Sequence, residues 1–356
     1  MKRRHLLASG AAALGLATAG CLGVGGGGSD QSGPSTPARV DDPPQAVYLP
    51  THVEGMQMSG MARDGRLRFA LSYSFPHQFW LVTGSRRRTV ELREEDSLHL
   101  MVSAWDGETG TVLPTSNATI SIGRDGESVV EKSLWAMLSQ NMGVHLGDNV
   151  ALPDEGTYDV DLSFGPVEAR GAGDLAGALA ESASATVQLE YSRSTLEDLS
   201  YTPFPDRKGE RDAAPPMEMD MVPTGQLPPV EDLPGRLLGE GSSGDATVAA
   251  LALDEPPAGV EGDGTYLAIS ARTPYNRYPV PLMALSATLS RGSETVYDDA
   301  LASTVHHDLG YHYGAVVDGV ETGDEVTITV DAPPQVARHE GYETAFFQMD
   351  PVRVTV

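Results

Sequence analysis

The chain repeats its own residue pattern after 167 positions, and this repeat limits what it can fold into. At that shift the run 143–147 falls on 310–314, and both runs read Gly-x-His-x-Gly. Leu100 falls on Leu267 in the same register, as do several neighbouring positions. A register held over so long a span indicates an internal duplication, with a first copy at about 45–195.

Short apolar runs bounded by Gly, Pro, Asp and Asn occur in both copies and are typical of β-strands. A brief helix is predicted only at 174–183. We therefore predict an all-β protein: two immunoglobulin-like β-sandwich domains from an internal duplication, preceded by a signal peptide and a flexible spacer. The predicted segments are a signal peptide at 1–20, a lipidated N-terminus and spacer at 21–44, a first sandwich with a metal site at 45–195, a Pro-rich linker at 196–240 and a second sandwich at 241–356.

The first 21 residues have the features of an exported lipoprotein. Arg3 and Arg4 precede an apolar run at 6–17, which is shorter than the roughly 20 residues of a membrane helix but suits a signal peptide. The arginine pair indicates twin-arginine export. Small residues before Cys21 resemble a lipobox, so we expect Cys21 to carry a lipid at the outer, extracytoplasmic face of the cell membrane. An ordinary secretory signal with an incidental cysteine is the alternative.

The composition is strongly acidic, with 50 Asp and Glu against 24 Lys and Arg and a formal net charge of −26. Such a surface repels nucleic acid, so we expect no nucleic-acid partner. We interpret the charge as a halophilic adaptation, because concentrated salt screens self-repulsion. Collection of cations is the alternative that bulk charge leaves open.

The candidate functional residues of this sequence are methionines and histidines, and no catalytic motif accompanies them. The sequence contains no nucleophile elbow, phosphate-binding glycine loop or His-Glu-x-x-His pair, so we expect no enzyme activity. His99 and Met101 lie two apart on one predicted strand, so their side chains share a face. Thioether sulfur selects copper(I), and imidazole suits copper and iron. Core packing is the alternative for a single methionine, and docking of the linker is the alternative for Met217, Met219 and Met221.

The segment 137–150 resembles the periplasmic ferrous-iron transport lipoprotein family. The family motif is a methionine, a short turn and a histidine followed by aromatic-Gly-x-Asn-Val. Met137 and His145 match it, with one extra residue between them and Leu146 in place of the aromatic. The strand carrying His99 is similar to the family's histidine strand, in which a glutamate stands at the position of Met101.

The resemblance implies a copper-binding immunoglobulin-like sandwich that supports iron uptake beside an iron permease. We therefore expect a lipid-anchored protein that binds a copper or ferrous iron ion, with the membrane, a permease and a second copy of the chain in a homodimer as partners. The expected ligands are His99, Met101, Met137, Met142 and His145, with His52, Met56 and Met58 as outer contacts.

Two alternatives remain at this point: a structural surface module, and a solute-binding protein, although proteins of that class usually need two α/β lobes and this chain lacks the helices. A structural or adhesive surface lipoprotein without a metal site would bury its methionines as core.

The second copy keeps His312 but has Tyr266 at the position of His99 and Leu309 at that of Met142, so we expect it to be a structural or partner-binding domain.

We expect Cys21→Ser to release the protein into the medium or leave it unprocessed, because serine cannot accept the thioether-linked lipid. Membrane fractionation with a size comparison measures this. A variant that stays membrane-bound at the mature size would contradict the assignment of Cys21.

Overall fold

The structure, a computed structural model, describes residues 39–114 and 117–356, so the signal peptide and Cys21 lie outside the described residues. Within the described ranges, no helix combines the length and hydropathy needed to cross a membrane. The first copy contains β1 His52–Glu54, β2 Gln57–Asp64, β3 Leu67–Ser74, β4 Phe79–Thr83, β5 Arg86–Val90, β6 Leu98–Asp106, β7 Ala118–Arg124, β8 Glu127–Ser133, β9 Trp135–Ser139, β10 Gly143–Val150, β11 Gly156–Phe164, β12 Arg170–Gly171, β13 Ala183–Tyr191 and the helix α1 Arg193–Glu197.

The remaining strands belong to the connecting segment and the second copy. They are β14 Tyr201–Pro203, β15 Arg236–Ser243, β16 Ala246–Leu253, β17 Thr265–Arg272, β18 Ala284–Arg291, β19 Glu294–His306, β20 Gly310–Val317, β21 Glu325–Ala332, β22 Ala337–Arg338 and β23 Val352–Thr355. The all-β prediction is confirmed. The predicted helix at 174–183 is wrong: only a 3-10 turn forms, at Gly173–Leu175. Gly173 and Gly177 have positive φ angles of 62° and 73°, which interrupt a helix at both positions.

The first copy is a sandwich of two layers, which are antiparallel except where β22 joins β9. One layer has the strand order β2-β3-β6-β10-β9, extended by β22, β4 and β5, and the other has the order β13-β11-β7-β8. Strand β11 shows why the layers pack: Tyr158, Val160 and Leu162 are buried, while the residues between them are exposed. Period-2 alternation gives each layer one apolar face, and the two apolar faces form the core.

The second copy repeats this strand order. Strands β15-β16-β17-β20-β19 correspond to β2-β3-β6-β10-β9, and β23-β21-β18-β19 correspond to β13-β11-β7-β8. Strand β19 is 13 residues long and pairs with β20 at one end and β18 at the other, so it replaces both β8 and β9. The predicted duplication is therefore visible in the topology.

Each copy also donates a two-residue strand to the sheet of the other. Strand β22 pairs in parallel with β9, with Ala337 opposite Met137. Strand β12 pairs in parallel with β19, with Arg170 opposite Thr304. Ala337 lies 167 positions after Arg170, and Thr304 lies 167 positions after Met137. The exchange of strands is therefore reciprocal and follows the sequence repeat.

The segment at 196–240 contacts both copies. Strand β14 pairs with β1, and the N–H of Leu227 donates to the carbonyl of Arg277 in the second copy at 2.8 Å. The amide N–H of Ala214 donates to the side-chain oxygen of Gln140 at 2.7 Å, and the N–H of Met217 donates to the carbonyl of Asn141 at 2.7 Å. The domain boundaries themselves stay predictions.

Arg338 holds the donated strand β22 in place. Its side chain is fully buried, donates to the carbonyls of Pro334 and Ala345, and lies 4.4 Å from the ring centre of Phe347. Cation–π contact and hydrogen bonds together satisfy a charge that burial would otherwise disfavour.

We expect Arg338→Met to lower the free energy of unfolding by about 1–3 kcal/mol, because buried carbonyls lose their donor. Denaturant unfolding measures the change. The matched control is Arg353→Met, at an exposed position of β23. Equal stability of the two variants would contradict this role of Arg338.

Candidate metal centre

Four histidines and one methionine converge on the outer face of the larger sheet of the first copy. His99 lies on β6, His145 on β10 and Met137 on β9, whereas His77 lies in the loop after β3 and His339 directly follows β22. The ring centre of His77 lies 4.1 Å from that of His99 and 4.8 Å from that of His339. The ring centres of His145 and His339 are 5.2 Å apart. The group therefore joins residues from both copies.

The ligand atoms of this group approach one another closely. One nitrogen each of His77, His99 and His339 lies within 4.8 Å of the other two. The Nε2 of His99 and the Sδ of Met137 each lie 3.0 Å from the position that a Cβ on Gly147 would occupy. Glycine at 147 therefore leaves the space on which a nitrogen and a sulfur ligand converge.

Hydrogen bonds assign the same tautomer to three of the histidines. The Nδ1 of His99 lies 2.8 Å from Oδ1 of Asn149, that of His145 lies 3.1 Å from the carbonyl of Gly143, and that of His77 lies 2.9 Å from a carbonyl. An oxygen of this kind only accepts, so each Nδ1 must donate its hydrogen. Each Nε2 is then left with a lone pair, the form that binds metals.

His339 completes this arrangement. Its Nδ1 lies 3.0 Å from Nε2 of His77, whose lone pair accepts the hydrogen. The Nε2 atoms of His99, His145 and His339 are fully buried and have no hydrogen-bond partner. Leaving a buried polar atom unpaired costs about 1–3 kcal/mol, so three in one place require an explanation. A metal ion that accepts all three lone pairs supplies one.

Burial also keeps these histidines neutral. Desolvation lowers the pKa of His145 to about 4 and lowers the pKa of His99 and His339 well below the ordinary value of 6.5. The pKa of His77 is lowered as well, mainly by burial, although the nearby Glu54 opposes the shift. The lone pairs are therefore available at neutral pH without displacement of a proton.

The structure brings together three of the predicted ligands, His99, Met137 and His145. Met101 is buried on the same face, opposite Gly147 in the register. Met142 is buried in the turn between β9 and β10, where its N–H donates to the hydroxyl of Ser139.

The predicted outer contacts have other neighbours in the structure. Both ring nitrogens of His52 have partners, Oγ1 of Thr51 at 2.9 Å and a carboxylate oxygen of Glu54 at 3.1 Å. Met58 packs against a small apolar cluster around Trp105, and Met56 is half-buried just before β2. Their roles, like the ligand set itself, stay predictions.

Sequence reasoning missed His77 and His339. His77 lies in a loop outside the repeat, and His339 joins the centre only because β22 crosses to the other copy. One signal was present: the shift of 167 places His339 on Ala172, so the histidine occurs in one copy alone.

The corresponding place in the second copy is filled by a tyrosine. Tyr266, at the position of His99, donates from its hydroxyl to Nε2 of His312 at 3.0 Å. A Cβ on Gly314, at the position of Gly147, would overlap this hydroxyl. Thr304 replaces Met137 and lies 3.3 Å from the same oxygen. The second copy therefore satisfies its buried imidazole within the protein.

The sequence profile of a domain of unknown function (DUF7350) matches residues 231–355. Comparison with curated protein sequences gave no significant match. Two solved structures of FetP from uropathogenic Escherichia coli are similar to the chain. A copper-bound variant has 15% identity and a TM-score of 0.30, covering 38% of this chain and 97% of that chain. The protein as isolated has 14% identity and a TM-score of 0.29, covering 38% and 95%.

We expect His312 to make the protein less stable in acid. Burial lowers its folded-state pKa to about 4, below the ordinary 6.5, so between these values the unfolded chain binds a proton that the native state does not. Stability therefore falls as pH falls from 6.5 toward 4, by up to about 1.4 kcal/mol per pH unit for this group. Unfolding of His312→Gln across this range should show a smaller slope than the wild type. The exposed His307→Gln is the control, and an unchanged slope in His312→Gln would contradict the assignment.

Proposed function

We propose that the protein binds copper in the first-copy centre, with His99, His145, His339 and Met137 as ligands. The observation that carries the proposal is the set of three buried, unpartnered Nε2 atoms on histidines whose rings lie close to that of His339 or belong to it. The Nε2 of His99 converges with the Met137 sulfur on the space over Gly147. Imidazole and thioether form a neutral, soft donor set, which favours copper(I) over harder ions.

The residues around the ligands have separate tasks. Asn149 and the carbonyl of Gly143 orient the rings of His99 and His145. His77 accepts from Nδ1 of His339 and so directs the opposite nitrogen of His339 toward the centre. Outer partners of this kind typically change metal affinity by about 10–100-fold when removed. Burial of the ligands shields a bound ion from water.

We further propose that this binding serves a transport task and not an enzymatic reaction. The export signal and Cys21 support an anchored protein at the outer face of the cell membrane, where it would hold copper and assist an iron permease. This context rests on the N-terminal sequence and on the family resemblance of 137–150. The competing function is a surface lipoprotein without a metal, for which ion binding should be absent.

We expect His339→Ala to weaken copper(I) binding by more than about 100-fold, beyond the loss typical of an outer-shell partner. The reason is that His339 supplies one of the three free lone pairs. Titration against a competing copper(I) chelator measures the affinity. Gly147→Ala is a second variant that keeps every ligand but places a methyl group 3.0 Å from the His99 nitrogen and the Met137 sulfur, so it should also weaken binding.

The control is His312→Gln, which changes the corresponding histidine of the second copy and should retain the wild-type affinity. Circular dichroism verifies that each variant is folded. Equal binding by the wild type, His339→Ala and Gly147→Ala would contradict the site. A wild type that binds no copper would favour the surface lipoprotein.

A further inference from the structure

A row of side chains crosses the outer face of the larger first-copy sheet and ends at the metal centre. Met58 lies opposite Ser72, Ser72 opposite Met101, and Met101 opposite Gly147. Directly opposed residues of antiparallel strands share a face, so Met58 and Met101 face the same side as the centre. Gly147 is the residue over which Met137 and His99 converge.

The segment 217–222 brings further methionines to this row. Met219 packs with Met58, Ala70 and Trp105 in one apolar cluster. Glu218 and Asp220 are exposed, whereas Met217 and Met219 are half-buried. The segment therefore turns its carboxylates toward solvent and the thioether of Met219 toward the sheet.

Burial increases along the row toward the centre. Met221 is 77% exposed and Met61 is 44% exposed, Met58 is half-buried, Met101 is 3% exposed and Met137 is fully buried. Neighbouring strands lie about 4.8 Å apart, so β2 and β6 are about 10 Å apart and β6 and β10 about 5 Å apart. The long, flexible side chain of methionine suits gaps of this size.

The second copy shows that packing alone does not require methionine in this row. The equivalent positions are Leu237, Leu251, Ala268 and Gly314, which oppose one another in the same register. The same fold position thus accepts aliphatic side chains. Thioethers occupy it in the copy that has the open histidine centre and not in the copy whose centre is filled by Tyr266.

We infer that Met219, Met58 and Met101 form a path along which copper(I) passes between the exposed methionines and the buried centre. The inference rests on the proposed function and adds the route of entry and release. At each step one copper–sulfur bond forms as another breaks, so the ion stays copper(I) and no oxidant or reductant is needed. The carboxylates of Glu218 and Asp220 attract the cation to the outer end.

The test is the kinetics of copper(I) exchange with a coloured copper(I) chelator, for the wild type, Met58→Leu, Met219→Leu and the double variant. Leucine conserves volume and removes the sulfur. We expect the double variant to keep its equilibrium affinity but to load and release copper at least about tenfold more slowly. Met283→Leu, in the core of the second copy, is the matched control and should exchange at the wild-type rate.

The outcomes distinguish a failure of the methionine path from a failure of the proposed metal centre. Wild-type rates in the double variant, with copper still bound, would overturn the path and leave the centre intact. Lower equilibrium affinity without slower exchange would also overturn it. Absence of copper(I) binding by the wild type would overturn the proposed function and the path together.

Discussion

The position of the two-residue strand β22 is the constraint on which the first-copy centre depends. Its register with β9 places His339 over the face that carries His99 and His145. The N–H of His339 donates to the carbonyl of Leu138, and the buried Arg338 binds carbonyls of its own segment. His339 is therefore placed by contacts that need no metal, which would reduce the entropy lost on binding of the proposed ion.

The two copies differ in how they accommodate a buried histidine Nε2. In both, a histidine donates from Nδ1 to the carbonyl two residues earlier and buries its Nε2, as His145 and His312 show. In the second copy the hydroxyl of Tyr266 pairs with that nitrogen. In the first copy it has no partner. Since the fold can satisfy this atom, the open arrangement is a property of the first copy and supports the metal site proposed there.

The negative charge of the protein and the soft donors of the proposed centre come from different residues. The chain has a formal net charge of −26, whereas the proposed centre gathers neutral imidazoles and a thioether. Surface charge raises the local concentration of every cation, and salt weakens this attraction. Selectivity must then come from the donors. Soft, uncharged ligands favour copper(I) by their chemistry, which salt does not screen.

The sequence by itself determined the strand pattern, the duplication and the common location of His99, Met137 and His145. The strand pattern and the duplication follow from period-2 alternation and from the repeated register, whereas the grouping of these three residues follows from the resemblance of 137–150 and of the His99 strand to a known family. Only the tertiary structure decided that His77 and His339 join the centre and that Tyr266 closes its counterpart. The physical reason is that β22 pairs with a strand about 200 positions away, and two residues carry too little pattern to specify that partner. The packing of the whole chain, including the buried Arg338, determines where β22 pairs.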